Sequence, residues 1–175
     1  PDVPDHRRMM DEIARRGFKG IKVHPVYQDV DLDDIRYLRI FDRAAELGLA
    51  VITHTGYDIG FPGAVRCSPQ MARSVVDQVG GFTFVLAHMG GWGQWDEATD
   101  LLSGRGVYLD TSFSTGVLHA RDDSLEQKTG LLNEERFTGM LAVFGAEHIL
   151  FGTDSPWSDP GESIDFIKRL DISET

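Results

Sequence analysis

Short apolar runs alternate with amphipathic stretches along this chain. The runs at 18–23, 49–53, 82–87, 107–111 and 149–152 read as strands. The run at 49–53 (LAVIT) has no polar alternation, the pattern of a strand buried on both faces, as parallel strands are. Between the strands lie helical segments with clear punctuation. A helix is expected over 5–16, closed by Gly17. Asp31 reads as the cap of a second, with Asp33 and Asp34 in its first turn, an apolar stripe of Leu32, Ile35, Leu38, Phe41 and Ala45, and Gly48 as its end. Ser68-Pro69 starts a third that runs to about Val79. A short helix follows over 96–102. Asn133 caps one that ends at Phe144 and Gly145, and Asp159-Pro160 opens the last, reaching Leu170. The polar stretch 114–128 reads as a long irregular loop with a helical turn.

Strict alternation of helix and strand predicts a parallel sheet with right-handed crossovers. An open doubly wound sheet and a closed barrel both fit that order. The open sheet usually announces a nucleotide through a glycine-rich first turn, and neither GxGxxG nor GxxxxGK[ST] occurs here. The barrel is favoured by what stands at the strand ends. His24, His54, His88 and Asp154 each sit at, or one step past, the C-terminal end of an apolar run. In an α/β barrel those ends share one face, so the four side chains would converge on one pocket. Three imidazoles and a carboxylate suit a borderline divalent metal.

Charge narrows the partners. With 17 Lys and Arg against 28 Asp and Glu the net charge is −11, which argues against nucleic acid. No apolar run approaches the roughly 18–20 residues of a membrane helix. The one cysteine, Cys67, has no intrachain disulfide partner, so a reducing, cytoplasmic setting is expected. One domain over 1–175 accounts for the whole chain.

Each candidate residue has a functional and a structural reading. His54, before Thr55-Gly56, is either a metal ligand or a strand-end histidine satisfied by hydrogen bonds. His88, in LAHMGG, could bind metal, move a proton, steady an oxyanion, or be structural. Asp154 follows a buried strand, where an unpaired carboxylate is costly, so pairing or metal binding is expected. Lys22 and His24, two apart on one strand, face the same side and could hold an anionic substrate, or form a surface pair. Asp110 reads as a structural hydrogen-bond acceptor. Trp92 and Trp157 could wall the pocket, while Trp95 could equally pack within a helix. Cys67 has no evident histidine to activate it.

Taken together, GFKGIKVHP, HTG, FTFVLAHMGGW, VYLDTS and ILFGTDSPW resemble the amidohydrolase-related family of TIM-barrel metal-dependent hydrolases, in the branch that includes the aminocarboxymuconate-semialdehyde and resorcylate-type decarboxylases. The resemblance runs from about Gly17 to about Leu170. It implies a (β/α)8 barrel with one metal, commonly zinc and otherwise manganese. It implies His54 as the strand-5 metal ligand and Asp154 as the strand-8 aspartate that binds metal and handles a proton. His88 matches the strand-6 histidine beside metal and substrate, and Lys22 and His24 match a substrate-facing strand-4 segment. The family's other two ligands form an H-x-H on strand 1, and no H-x-H occurs in this sequence. The chain is therefore expected to supply strands 4–8 of an incomplete barrel, an expectation the lack of an initiator Met shares; a full barrel takes about 250 residues.

The expected activity is hydrolysis of a small, carboxylated substrate by metal-activated water. Non-oxidative decarboxylation at the same site is the alternative, and an incomplete barrel that must associate, as a homo-oligomer for example, is the second.

Overall fold

In the computed structural model, residues 1–2, 4–116 and 131–172 are described. The expected loop at 114–128 therefore lies mostly outside the described residues. Among the described residues there are five strands: β1 (Gly20–Val23), β2 (Ala50–Thr53), β3 (Phe84–Leu86), β4 (Tyr108–Asp110) and β5 (Ile149–Leu150). They pair in parallel, in the order β1-β2-β3-β4-β5. That order decides between the two architectures. A doubly wound sheet reverses its strand order at a switch point, where its ligand sits. Here each strand lies beside the next with no reversal, as successive strands of an α/β barrel do, and five strands make an incomplete one.

Helices α1 (His6–Arg15), α2 (Pro25–Gln28), α3 (Ile35–Glu46), α4 (Pro69–Gln78), α5 (Trp95–Leu102), α6 (Glu134–Phe144) and α7 (Pro160–Arg169) connect or flank the strands. Their starts follow the punctuation of the sequence. Ser68 Oγ accepts from Met71 N–H at 3.3 Å, Asn133 Oδ1 from Arg136 N–H at 2.9 Å and Asp159 Oδ1 from Glu162 N–H at 3.0 Å, each satisfying an orphan donor of the first turn.

One expected start is displaced. The cap of α3 is Asp34, whose side chain accepts from Arg36 N–H, and not Asp31. The carboxylate of Asp31 is taken by Arg66 at 2.9 Å, and its carbonyl closes a turn with Asp34 N–H. The helix then begins at Ile35, which is exposed at its first turn, and its buried stripe becomes Tyr37, Leu38, Ile40, Phe41 and Ala44. The four-residue α2, directly after His24, was not expected from the pattern.

The core lies between the sheet's outer face and the helices. Val51, Phe84, Leu86 and Leu109 point there and are fully or almost fully buried. Phe41 is fully buried, with ring centroids 5.5 Å from Tyr37, 6.0 Å from Phe82 and 5.8 Å from Phe84. Aromatic pairs at such spacings contribute about 0.5–1.5 kcal/mol each beyond the area they bury. The opposite face is open: Lys22 is exposed, Ile52 is 37% exposed and Leu150 42%. Among the described residues no helix is long and apolar enough to cross a membrane.

Candidate active site

The C-terminal ends of the strands surround a cavity of about 280 Å³. His24, His54, His88 and Asp154 all line it, so the four strand-end side chains do converge. Trp92 and Trp157 line it too, together with Tyr27, Tyr57, Asp58 and Phe113. Lys22 lies apart from this lining, exposed on β1.

The ends of β2 and β3 are tied together beyond the strands themselves. Thr55 Oγ1 donates to Ala87 O at 2.7 Å, Trp92 N–H to Thr55 O at 2.9 Å and Tyr57 N–H to Trp92 O at 2.9 Å. This extended pairing brings Gly56 against the backbone of Trp92, and a Cβ on Gly56 would stand 2.1 Å from Trp92 N. The pairing sets the imidazoles of His54 and His88 in contact, His54 Nδ1 to His88 Nε2 at 2.9 Å. His88 Nδ1 reaches Ser112 O at 2.9 Å. The backbone N–H of His88 donates to Asp110 Oδ1 at 3.1 Å, and Trp95 Nε1–H donates to His88 O at 3.0 Å. Asp110 also accepts from the Ser112 N–H and hydroxyl, so it is a structural acceptor, and Trp95 packs in the helix layer.

His88 and Asp154 both hold a left-handed backbone, at φ 62° and 56°. For residues other than glycine this costs energy and is kept where the surroundings enforce it, frequently at active sites. Asp154 is partly buried, and its carboxylate makes no hydrogen bond or ion pair with the described residues.

A second group faces His54 across the cavity. His24 stacks on His54 with ring centroids 4.4 Å apart. Asp58, in the loop after β2, places Oδ2 3.4 Å from His24 Nε2 and 3.9 Å from His54 Nε2. One donor atom from each of His24, His54 and Asp58 lies within 4.8 Å of the others. Two imidazoles and a carboxylate are a donor set for a borderline divalent metal, and His24 Nδ1 is buried without a hydrogen-bond partner. The residues present fit such an ion. Asp58 was not foreseen. The available signal was its place in HTGYD, four residues after a strand-end histidine and still on the loop that leaves the strand.

Burial dominates the electrostatics. It pushes the His54 imidazole down to about 2, with the neighbouring His88 and His24 rings adding to the effect. His24 is lowered for the same first reason, while the Asp58 carboxylate pulls the other way. Burial, then Asp58, pushes the Cys67 thiol up to about 12, and its S–H points to Gly56 O at 3.7 Å. Cys67 is a core residue and no nucleophile at neutral pH.

This fold is shared with solved enzymes. The chain is similar to 5-carboxyvanillate decarboxylase LigW from Sphingomonas paucimobilis, with a TM-score of 0.64 and 16% identity over 95% of this chain and 57% of that one. It is similar to a dihydroxybenzoic acid decarboxylase from Polaromonas sp. JS666 that carries manganese and the inhibitor 2-nitroresorcinol (TM-score 0.63, 17% identity, 97% of this chain and 60% of that one). A third is the 2,6-dihydroxybenzoate decarboxylase from Rhizobium (TM-score 0.61, 16% identity, 97% and 61%). At these identities the likeness is one of fold, and the chain spans less than two thirds of each relative's length. No curated protein matches the sequence. The family assignment comes from the sequence itself, which matches the amidohydrolase model, Amidohydro_2, over residues 1–175: the chain belongs to the amidohydrolase family.

Proposed function

We propose that this chain carries the catalytic half of a metal-dependent, non-oxidative decarboxylase acting on a small carboxylated aromatic compound. The observation that carries the reading is the meeting of His54, His88 and Asp154 in one cavity walled by Tyr27, Trp92, Phe113 and Trp157. Flat aromatic walls suit a planar ring, and the decarboxylases similar in fold act on such rings. This ranks the carboxy-lyase above the hydrolase expected first from the sequence motifs.

His54 and Asp154 are the family-matched metal donors. When bound, the metal, manganese or zinc, supplies a Lewis acid beside the substrate's oxygen atoms. The chain's own groups do the rest. The aromatic walls orient the ring. His88, tied by its ring nitrogens to Ser112 O and His54 and by its backbone N–H to Asp110, holds the His54 imidazole in a fixed orientation beside the substrate. The bond from the ring to its carboxylate breaks, CO2 leaves, and the electron pair remains on the ring carbon. A proton from the Asp154 carboxyl takes the vacated position.

The test is product analysis of the purified chain with Mn²⁺ and 2,6-dihydroxybenzoate or 5-carboxyvanillate. Release of CO2 with the proton-replaced ring is expected, and Asp154→Asn is expected to lower turnover at least about 100-fold. Uptake of water by a lactone or amide without CO2 release, or full turnover by the Asp154→Asn protein, overturns the reading.

A further inference from the structure

Five rings stand in an unbroken row along one side of the cavity. From His88 the row passes to His54, His24, Tyr27 and Phe61, with successive ring centroids 4.7, 4.4, 4.3 and 4.9 Å apart. It climbs from floor to rim: His88 and His54 are buried, His24 is partly buried and Tyr27 is 67% exposed. The inner end is the imidazole pair beside which the reaction is placed. Near the outer end stands a phenol. Tyr27 lines the cavity, and its hydroxyl has no hydrogen-bond partner among the described residues.

An exposed tyrosine ordinarily turns freely at the surface, whereas this one is held from below and from both sides. It sits on α2, where its neighbours Pro25 and Val26 are buried. Gln28 Oε1 accepts from His24 N–H at 3.0 Å and from the hydroxyl of the fully buried Tyr37 at 2.6 Å, which anchors the turn to the core. Val30 N–H donates to Pro25 O at 3.2 Å, and Asp29, at φ 50°, leads the chain away. The Tyr27 ring meets His24 at 88° and Phe61 at 74°, the edge-to-face arrangement that aromatic pairs favour. Phe61 stands on the loop after β2, whose base is closed by Gly56 N–H donating to Cys67 O at 2.8 Å. A ring fixed in this way, with its polar tip uncommitted, loses little freedom when it binds a ligand.

We infer that Tyr27 is a specificity-determining residue: its hydroxyl hydrogen-bonds a neutral hydroxyl substituent on the side of the substrate ring away from the carboxylate that leaves. The inference rests on the decarboxylase reading above and deepens it, by naming the aromatic acids the cavity favours. A planar ring laid along the row has its reacting end at His54 and His88 and its far end at Tyr27. A hydroxyl there can donate or accept, as the phenol can. Charge disfavours a second carboxylate in that place. Among the described residues the cavity lining holds no Lys or Arg, and the Asp58 carboxylate lies 3.4 Å from His24 Nε2, in the middle of the row.

The experiment is a calorimetric titration of the purified chain, in Mn²⁺, with two acids that differ by one group. One is 2-hydroxybenzoate, whose hydroxyl flanks the carboxylate; the other is 2,4-dihydroxybenzoate, which adds a hydroxyl opposite it. The parent chain is expected to bind the second about 3- to 10-fold tighter, the worth of one hydrogen bond. Tyr27→Phe is expected to abolish that preference and to leave binding of 2-hydroxybenzoate within about twofold of the parent. Phe61→Leu, which removes the ring that holds Tyr27 from one side, is expected to narrow the preference without abolishing it. Tyr27→Phe loses no described hydrogen bond, and circular dichroism with a thermal midpoint checks that it folds as the parent does. Equal affinity of the parent for the two acids, the full preference kept by Tyr27→Phe, or no binding of either acid overturns the inference. CO2 release alongside equal binding of the two acids overturns the inference alone and leaves the decarboxylase reading standing. A preference lost in Tyr27→Phe, with no CO2 released from either acid, overturns the decarboxylase reading and leaves Tyr27 as the residue that selects the ligand.

Discussion

The two walls of the cavity are built on opposite plans. On one, the ends of β2 and β3 continue to pair past the strands, Gly56 lies against Trp92, and His54 and His88 are buried with their ring nitrogens in close contact with neighbours. On the other, β5 is two residues long, and Asp154 follows on a left-handed backbone with no described partner for its carboxylate. Its local support comes from backbone and hydroxyl groups nearby: Trp157 N–H donates to Asp154 O at 3.0 Å, and Ser158 hydroxyl to Thr153 O. The first wall is rigid by construction and suits groups that must hold a ligand in a fixed geometry. The second leaves a carboxylate uncommitted, which suits a group that passes a proton. Fixed donors and a free acid within one cavity are what the proposed chemistry requires.

The sharpest way to break the contrast is at Gly56. Gly56→Ala would place a methyl group 2.1 Å from Trp92 N on a backbone at φ +92°. A loss of about 3–4 kcal/mol in urea denaturation is expected, from strain and disrupted pairing together. A loss under about 1 kcal/mol would mean that the loop pairing does not hold the first wall.

Acid tests the same wall more gently. In the chelator-treated chain, the folded His54 imidazole resists protonation down to about 2, whereas the unfolded one takes a proton near the ordinary histidine value of 6.5. The unfolded state thus binds more protons below about pH 6.5. Stability is at its full value above that pH and falls as the pH drops, by at most about 1.4 kcal/mol per pH unit for this one group. Urea midpoints between pH 7.5 and 4.5 measure it. A curve as steep in His54→Gln as in the parent would assign the dependence to other groups.

The smallest effect is expected at the second wall. Asp154→Ala should change stability by no more than about 0.5 kcal/mol, since no described hydrogen bond is lost. A loss above about 1.5 kcal/mol would reveal a structural role and remove the contrast.

Much of this was legible in the residues. Capping residues at Ser68, Asn133 and Asp159 and the ligand types after the strands are local signals, and they survive into the fold; the expected burial of the strand at 49–53 on both faces does not, since Ile52 is 37% exposed on the sheet's open side. The helix start was misplaced where a residue had two possible partners. Asp31 carries the marks of a cap, but Arg66, distant in sequence, claims its carboxylate and moves the helix start to Ile35. Lys22 and His24 share a face as their spacing implies; the Lys22 side chain is exposed on the sheet's open side, and His24 lines the cavity.

What the sequence determined by itself was the alternation of helix and strand, the strand-end placement of His24, His54, His88 and Asp154, and the family. These depend on spacing along the chain, where period and punctuation act over a few residues. Only the tertiary structure decided that the strands follow one another without reversal, that His54 and His88 touch, and that Asp58 comes within 3.4 Å of His24. Those outcomes depend on how β1, β2 and β3 pair and on how the loops beyond them close, through contacts between residues thirty or more positions apart in the chain.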